Sequence, residues 1–371
     1  MQKRRTYEEI NQKIKSGRAV VLTASEVSEL SKTLPPAEIF RKVDVVTTAT
    51  FAPMCSSGMF INVGHTRPPM RMEQVLLNDV PVYAGIAAVD AYIGATSESE
   101  SRPGYGGAHL IEELIAGKEV EITCRAKGTD CYPLKSFNGK ISRHTVNEMI
   151  LFNPRNAYQN YAAAVNTSDR TLYTYMGVLL PRLGNLTYST SGELSPLLND
   201  PWLRTIGVGT RIFLGGGRGY VTGRGTQFRT DVERNAHGIP LKNAATLAVT
   251  GDAKEMDTAY IRAAYFEKYG VSLFVGIGIP VPVLDEDMAA RVSIRNEQIE
   301  TTITDYASPS HEELGRVNYR QLLSGYLHLK GKKVRTAPMS SLPVARRIAV
   351  VLAKEIRQGK FSLTQPVETL S

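Results

Sequence analysis

Ala108-His109-Leu110-Ile111-Glu112-Glu113-Leu114-Ile115-Ala116-Gly117-Lys118-Glu119-Val120-Glu121-Ile122-Thr123-Cys124-Arg125 changes its hydrophobic period at a single glycine. Up to Ala116 the apolar residues recur at helical spacing. Beyond Gly117, Val120, Ile122 and Cys124 point one way while Glu119, Glu121, Thr123 and Arg125 point the other, as on a half-buried strand. Glycine accepts the left-handed conformation that ends a helix, and the following lysine favours the helix's negative end. The same junction recurs at Ser16-Gly17-Arg18, Lys330-Gly331-Lys332 and Gln358-Gly359-Lys360, and common capping physics accounts for it better than an internal repeat does. Helical and strand patterns alternate along most of the chain, which predicts an α/β or mixed α+β fold. We expect one large domain over residues 1–371 with a loop-rich, glycine-rich active-site region between Tyr161 and Gly225, although a boundary near Asn166 is an alternative.

Further helices are expected over Tyr7 to Ile14, after the capping pattern Thr23-Ala24-Ser25-Glu26, and over Met256 to Tyr269, His311 to Leu322 and Pro343 to Arg357. Strands are expected at Leu172 to Leu180 and Thr210 to Leu214.

The 371 residues carry 42% apolar side chains, enough to bury a substantial core. The start of the chain lacks the apolar segment of a signal peptide, and the run from Val271 to Leu284 is too short and too broken by glycine and proline to span a bilayer. A cytoplasmic protein with no membrane association is the expectation, and three cysteines without an export signal point to reduced thiols. The net charge of +8 is scattered rather than gathered beside a reader motif, so an anionic metabolite or acidic protein fits at least as well as nucleic acid.

Two cysteines lie in polar, turn-forming surroundings, Cys55 in Pro53-Met54-Cys55-Ser56-Ser57-Gly58 and Cys131 in Gly128-Thr129-Asp130-Cys131-Tyr132-Pro133. A loop thiol near lysine and free N–H groups is in the setting that makes sulfur nucleophilic. Cys124 reads as strand core. Gly215-Gly216-Gly217-Arg218-Gly219-Tyr220-Val221-Thr222-Gly223-Arg224-Gly225 matches neither dinucleotide nor P-loop spacing, and is read equally as an anion loop clamped by Arg218 and Arg224 or as a tight glycine-dependent turn. The second glycine cluster, Gly104 to Gly107, opens a helix and is a second candidate anion site. His65 is the histidine nearest Cys55 in sequence and the best acid or base among six dispersed ones, whereas Asp90, Glu98 and Glu100 read as a polar loop. No metal site is expected, because neither the cysteines nor the histidines have ligand spacing.

With Thr48-Ala49-Thr50-Phe51-Ala52-Pro53-Met54-Cys55-Ser56-Ser57-Gly58, Cys131 and the Gly215 to Gly225 region, the chain resembles the homocysteine-biosynthesis sulfur-incorporation family, whose members are L-aspartate semialdehyde sulfurtransferases of anaerobic archaea and bacteria. The resemblance implies conversion of L-aspartate semialdehyde and sulfide to homocysteine with two electrons from an external donor, such as a protein with ferredoxin-like domains. It implies no bound cofactor and no pyridoxal phosphate. Carried over by motif, Cys131 bears the sulfur as a persulfide and Cys55 resolves it by attack on Cys131, leaving a disulfide for the donor to reduce. Arg218 and Arg224 are expected to grip the substrate carboxylate and His65 to protonate the departing oxygen. The paired nucleotide-regulatory CBS modules of some relatives are not expected here, and homo-oligomer formation is left open. The competing readings are a thioester-forming cysteine enzyme that needs Cys131 alone, and a basic nucleic-acid-binding protein.

Overall fold

A computed structural model describes residues 4–370. Strands hold 36% of the chain and helices 20%, so the mixed α/β expectation is met with the sheets dominant. The main sheet has ten strands. Seven of them run in the spatial order Val45–Pro53, Gly270–Pro282, Arg211–Leu214, Gly217–Arg224, Leu247–Asp252, Glu148–Asn156, Gly58–Asn62. Val21–Thr23 and Asp90–Gly94 flank the two ends, and Ile261–Phe266 pairs along the start of Gly270–Pro282.

One covalent fact fixes the shape of this sheet. Val45–Pro53 and Gly58–Asn62 stand six strand spacings apart in the pairing order, about 29 Å if the sheet were flat at about 4.8 Å per spacing. Only Met54, Cys55, Ser56 and Ser57 join them, a connection that reaches about 18 Å at most. The sheet must therefore curl until its ends approach. The helix Gly107–Ile115 lies across the resulting gap, contacting Ile261–Phe266 on one side and Asp90–Gly94 and Gly58–Asn62 on the other. Its Glu112 accepts a hydrogen bond from the Ala263 N–H at 2.6 Å, which satisfies an edge group of the sheet.

The helix Leu342–Arg357 packs its Ile348, Leu352 and Ile356 on Val45–Pro53 and Gly270–Pro282, and the principal core lies between them. A six-stranded sheet built from Ala163–Val165, Asn185–Tyr188, Glu300–Asp305, Glu313–Asn318, Tyr326–Leu329 and Lys332–Pro338 has its own core around Tyr188, Tyr319 and Val334. Because the chain leaves that sheet to form strands of the main one and then returns, no single cut near Asn166 separates the two. A four-stranded antiparallel sheet, Val80–Val82, Gln74–Leu77, Val120–Arg125, Ser136–Ile141, carries the turn with Cys131.

The helix Tyr7–Lys15 and the boxed cap of Ala24–Leu30, with Thr23 and Glu26 exchanging hydrogen bonds, follow the sequence expectation. Gly17, Gly117 and Gly359 follow helices with φ of +67°, +79° and +70°, as capping glycines should. Gly331 instead turns the hairpin between Tyr326–Leu329 and Lys332–Pro338. Two expected helices are absent. Met256 to Tyr269 is a turn followed by the strand Ile261–Phe266, which gains a full ladder against Gly270–Val275, and His311 to Leu322 is the strand Glu313–Asn318 followed by the short helix Tyr319–Leu323.

Gly107 begins the helix that spans the sheet gap, and a Cβ there would fall 1.9 Å from the carbonyl oxygen of Gly94. The Gly107→Ala variant should therefore lose about 1–3 kcal/mol of stability, read from the urea midpoint at unchanged slope.

Candidate active site

The connection that forces the sheet to curl also carries Cys55. The Met54 N–H is held by Leu273 O at 2.7 Å and Ser57 N–H by Met54 O at 3.0 Å, so Cys55 sits on a pinned turn. Its sulfur lies 3.2 Å from the Ser272 hydroxyl, and the Tyr269 hydroxyl points to it at 3.9 Å. It opens into a cavity of about 300 Å³ whose lining includes Arg155, Tyr158, Tyr161, Tyr175, Gln227, Asn243 and Ser189. Among the described residues, the lining contains no aspartate or glutamate.

Arg155 reaches this cavity through a break in strand regularity. Leu247 and Val249 pair with Asn156 and Asn153, so the strand Glu148–Asn156 carries one extra residue at Pro154-Arg155. That bulge accommodates a proline with no N–H to donate and re-aims the next side chain. Asn153, fully buried, ties the bulge to the thiol turn, since its amide donates to Ser57 Oγ at 2.8 Å and accepts from the Arg155 N–H at 2.9 Å. Arg155 Nε is buried and has no hydrogen-bond partner.

Tyrosines form much of the wall. Tyr158 and Tyr161 meet edge to face at 5.0 Å, Tyr175 packs edge-on to Tyr161 and Tyr269, and its hydroxyl meets that of Tyr306 at 2.8 Å. Burial pushes the Tyr269 hydroxyl up to about 12, with the Cys55 charge adding to it and Arg155 working against it. Burial also raises Tyr158, Tyr161 and Tyr306. All four stay protonated across the neutral range, and the three that line the cavity, Tyr158, Tyr161 and Tyr269, can donate hydrogen bonds into it.

The other expected site residues lie elsewhere. Cys131 is exposed on the turn Thr129 to Tyr132, its sulfur 3.5 Å from the Thr129 hydroxyl, and it does not line the Cys55 cavity. His65 stacks on Tyr132, ring centroids 6.1 Å apart, which puts it beside the Cys131 turn. Cys55 precedes and His65 follows the strand Gly58–Asn62, which alone spans about 13 Å, so closeness in sequence does not bring this histidine to Cys55.

The glycine-rich segment is not an anion loop. Gly217–Arg224 is a strand, and Gly215 and Gly216 make the hairpin turn, with φ of +60° and +102°, packed against Met256, Ile261 and Asp257. The Gly215 N–H is spent on Gly276 O. Arg218 reaches Lys360 O at 3.4 Å and Arg224 reaches Leu370 O at 3.0 Å, both on the C-terminal segment rather than in the cavity. The helix start at Gly106 is likewise occupied, because Gly106 N–H goes to His109 Nδ1 and the Gly107 and Ala108 N–H groups go to Ser97 O and Ala95 O. Asp90 accepts from the Asn62 amide at 2.8 Å, a structural contact.

Sequence reasoning missed Arg155 and the tyrosines. A proline within the alternation of Met149, Leu151 and Asn153 marks a bulge, and that was the available signal. A second cavity of about 300 Å³ lies between His65 to Met72 and the four-stranded sheet, with Cys124 in its wall. Cys124 is inert there, facing Met72 Sδ at 3.6 Å and pushed up to about 11 by burial. Among the described residues no cluster of three or more histidine, cysteine, aspartate or glutamate side chains could hold a metal, and no helix is long and apolar enough to cross a membrane.

The homocysteine biosynthesis enzyme, sulfur-incorporation family matches residues 19–363, and the chain belongs to this family. It is 48% identical over 370 residues to an L-aspartate semialdehyde sulfurtransferase of Methanosarcina acetivorans, a match covering 99% of this chain and 72% of that protein. A protein of the same name from Methanocaldococcus jannaschii is 47% identical over 384 residues, covering 99% and 73%. An uncharacterized protein of Methanothermobacter thermautotrophicus is 29% identical over 338 residues, covering 86% and 72%. No solved structure matches.

Exposure orders the three thiols. In the native protein iodoacetamide should modify Cys131 first and Cys55 more slowly, and should reach Cys124 only after unfolding, as peptide mass mapping would show. Early modification of Cys124 would contradict its buried assignment.

Proposed function

We propose that the chain catalyses sulfur transfer to L-aspartate semialdehyde, with the net change aldehyde plus hydrogen sulfide plus two electrons and two protons to homocysteine and water. The single observation that carries this reading is a free thiol, Cys55, opening into a cavity with one arginine, many hydroxyl donors and no acidic group, in a chain 48% identical to a named sulfurtransferase. In this reading the aldehyde binds at Cys55. Its oxygen, which must leave as water, needs a proton donor, and the protonated tyrosine hydroxyls take the part the sequence suggested for His65.

Cys131 is the sulfur carrier in the same proposal. An exposed turn suits a sulfur that must meet sulfide or a protein delivering it: hydrosulfide attacks Cys131 of a Cys55–Cys131 disulfide, which serves as the two-electron oxidant, so that Cys131 becomes the persulfide and Cys55 leaves as thiolate. The resolving step, attack of Cys55 on Cys131, then requires the Thr129 to Tyr132 turn to come over the cavity, because the two thiols do not share it in this conformation. That attack reforms the disulfide and releases the sulfur on the substrate, which loses water to the thioaldehyde level, and two electrons from an external donor, for which a protein with ferredoxin-like domains is the expected partner, bring it to the thiol. The reaction belongs to the cytoplasm and needs no bound cofactor.

The test is anaerobic homocysteine formation from aspartate semialdehyde and sulfide with a low-potential reductant. Wild type should form product, and Cys131→Ser should form none. Cys55→Ser should lose at least about 100-fold in rate, the scale of a group acting directly on the reacting atoms. Full activity in Cys55→Ser would favour the thioester-type reading with one cysteine, and a folded wild type that forms no product would refute sulfur transfer.

A further inference from the structure

The Cys55 cavity has a charge imbalance that its own residues do not relieve. Arg155 is the charged group in its wall, its buried Nε lacks a partner, and no carboxylate lines the space. Arg155 is half-buried with its Nε cut off from water, and a cation held in such a wall with no carboxylate beside it leaves a place for an anion. Guanidinium offers a planar fork that matches a carboxylate with two parallel hydrogen bonds. The surrounding groups reinforce this preference, since the tyrosine hydroxyls remain protonated donors and Gln227, Asn243 and Ser189 are neutral. Asn153 holds the strand bearing Arg155 and the turn bearing Cys55 in one hydrogen-bonded unit, which fixes the anion site relative to the sulfur.

The same lining offers the substrate's ammonium group much less. With no acidic side chain in the wall, only neutral oxygens and tyrosine faces can meet it. A site built to bind a polar group rejects an analogue lacking that group by about 10⁴-fold or more, because its own partner groups are left buried and unpaired. No dedicated partner for the ammonium exists here to be left unpaired.

Resting on the sulfur-transfer reading above, we infer that Arg155 anchors the substrate carboxylate and that the cavity reads the carboxylate rather than the ammonium. It follows that 4-oxobutanoate, the same four-carbon aldehyde acid without the amino group, is a second substrate and yields 4-sulfanylbutanoate. The balance is that of the amino acid. The C4 carbon–oxygen bond breaks and the oxygen leaves as water, a carbon–sulfur bond forms to sulfur from hydrogen sulfide, and two electrons and two protons from the external reductant bring C4 to the thiol level. The carboxylate is unchanged. Arg155 is a binding residue in this scheme, and Asn153 is a positioning residue for both Arg155 and Cys55.

The first measurement does not need turnover. Cys55 is alkylated with iodoacetate and, separately, with neutral iodoacetamide, and the ratio of the two rates is compared with the same ratio at Cys131. Changes in thiol reactivity cancel in the ratio, so it reports attraction of the anion alone. Wild type should favour iodoacetate at Cys55 over Cys131 by about 10-fold, and Arg155→Gln should bring the two ratios level. Arg155→Lys, which keeps the charge and loses the fork, should retain most of the preference, and slow modification of Cys124 certifies that each variant is folded. Equal ratios at Cys55 in wild type and Arg155→Gln would overturn the anchor.

The second measurement is steady-state product formation. With wild type, kcat/KM for 4-oxobutanoate should lie within about 10-fold of that for aspartate semialdehyde, and Arg155→Gln should raise KM for both by about 10- to 100-fold, the worth of a charged hydrogen-bonded pair. Discrimination against 4-oxobutanoate beyond 1,000-fold would show that the ammonium is read after all and would overturn the inference. A wild type that makes neither product, yet loses its iodoacetate preference in Arg155→Gln, would count against the sulfur-transfer reading and not against the anion site.

Discussion

Four residues, Met54 to Ser57, join two strands that stand six spacings apart, and this covalent limit decides most of the structure. Backbone pairing supplies the sheet, but the short connection forbids a flat one. Direct pairing of Gly270–Pro282 with Val45–Pro53 sets Ser272 and Tyr269 beside Cys55, and curling brings to them Arg155, from the strand at the other end of the pairing order. The helix Gly107–Ile115 must then lie close against the sheet, which is why a glycine starts it and why Glu112 is free to satisfy Ala263. A longer connection would have removed the constraint and with it the cavity's walls.

Electrostatics within the cavity follow from what the fold leaves out. Ion pairs elsewhere are ordinary, as where Asp44, nearly buried, is met by Arg5 at 3.3 Å and Lys13 at 2.6 Å. Around Cys55 the compensating acid is missing while an arginine, a thiol and several tyrosine hydroxyls converge. Such a site favours an anion with an electrophilic carbon. The exposed Cys131 turn does not line it, and the proposed division between a substrate cavity and a sulfur-carrying turn matches the different surroundings of these two free thiols.

The sequence made local structure legible wherever local physics decided it. Thr23 and Glu26 announce their capping box, Gly17 and Gly117 end their helices, and the alternation from Val120 to Arg125 is the strand it predicts. It failed where long-range pairing overrode propensity. Met256 to Tyr269 has helix-forming alanines and glutamate, yet Ile261–Phe266 gains a ladder with the strand that follows it. Cys55 and Cys131 could be singled out as polar loop thiols, but no pattern could say that a curled sheet would give one a cavity and leave the other exposed. Arg218 and Arg224 drew attention because glycines surround them, whereas Gly219 serves close packing against Leu214 and Thr250, Gly217 against Glu255 and Gly225 against Thr246. Arg155 was hidden inside a strand, signalled only by the proline before it.

The account rests on the substrate occupying the curled-sheet cavity and not the cleft beside His65. A crystal structure of the protein soaked with 4-oxobutanoate under reducing conditions, without sulfide, tests this most directly. The account predicts a carboxylate in two hydrogen bonds to the Arg155 guanidinium, with the aldehyde carbon directed at the Cys55 sulfur. A ligand seated instead in the second cavity, whose wall includes His65, Arg67 and Lys140, with Arg155 unengaged, would contradict it.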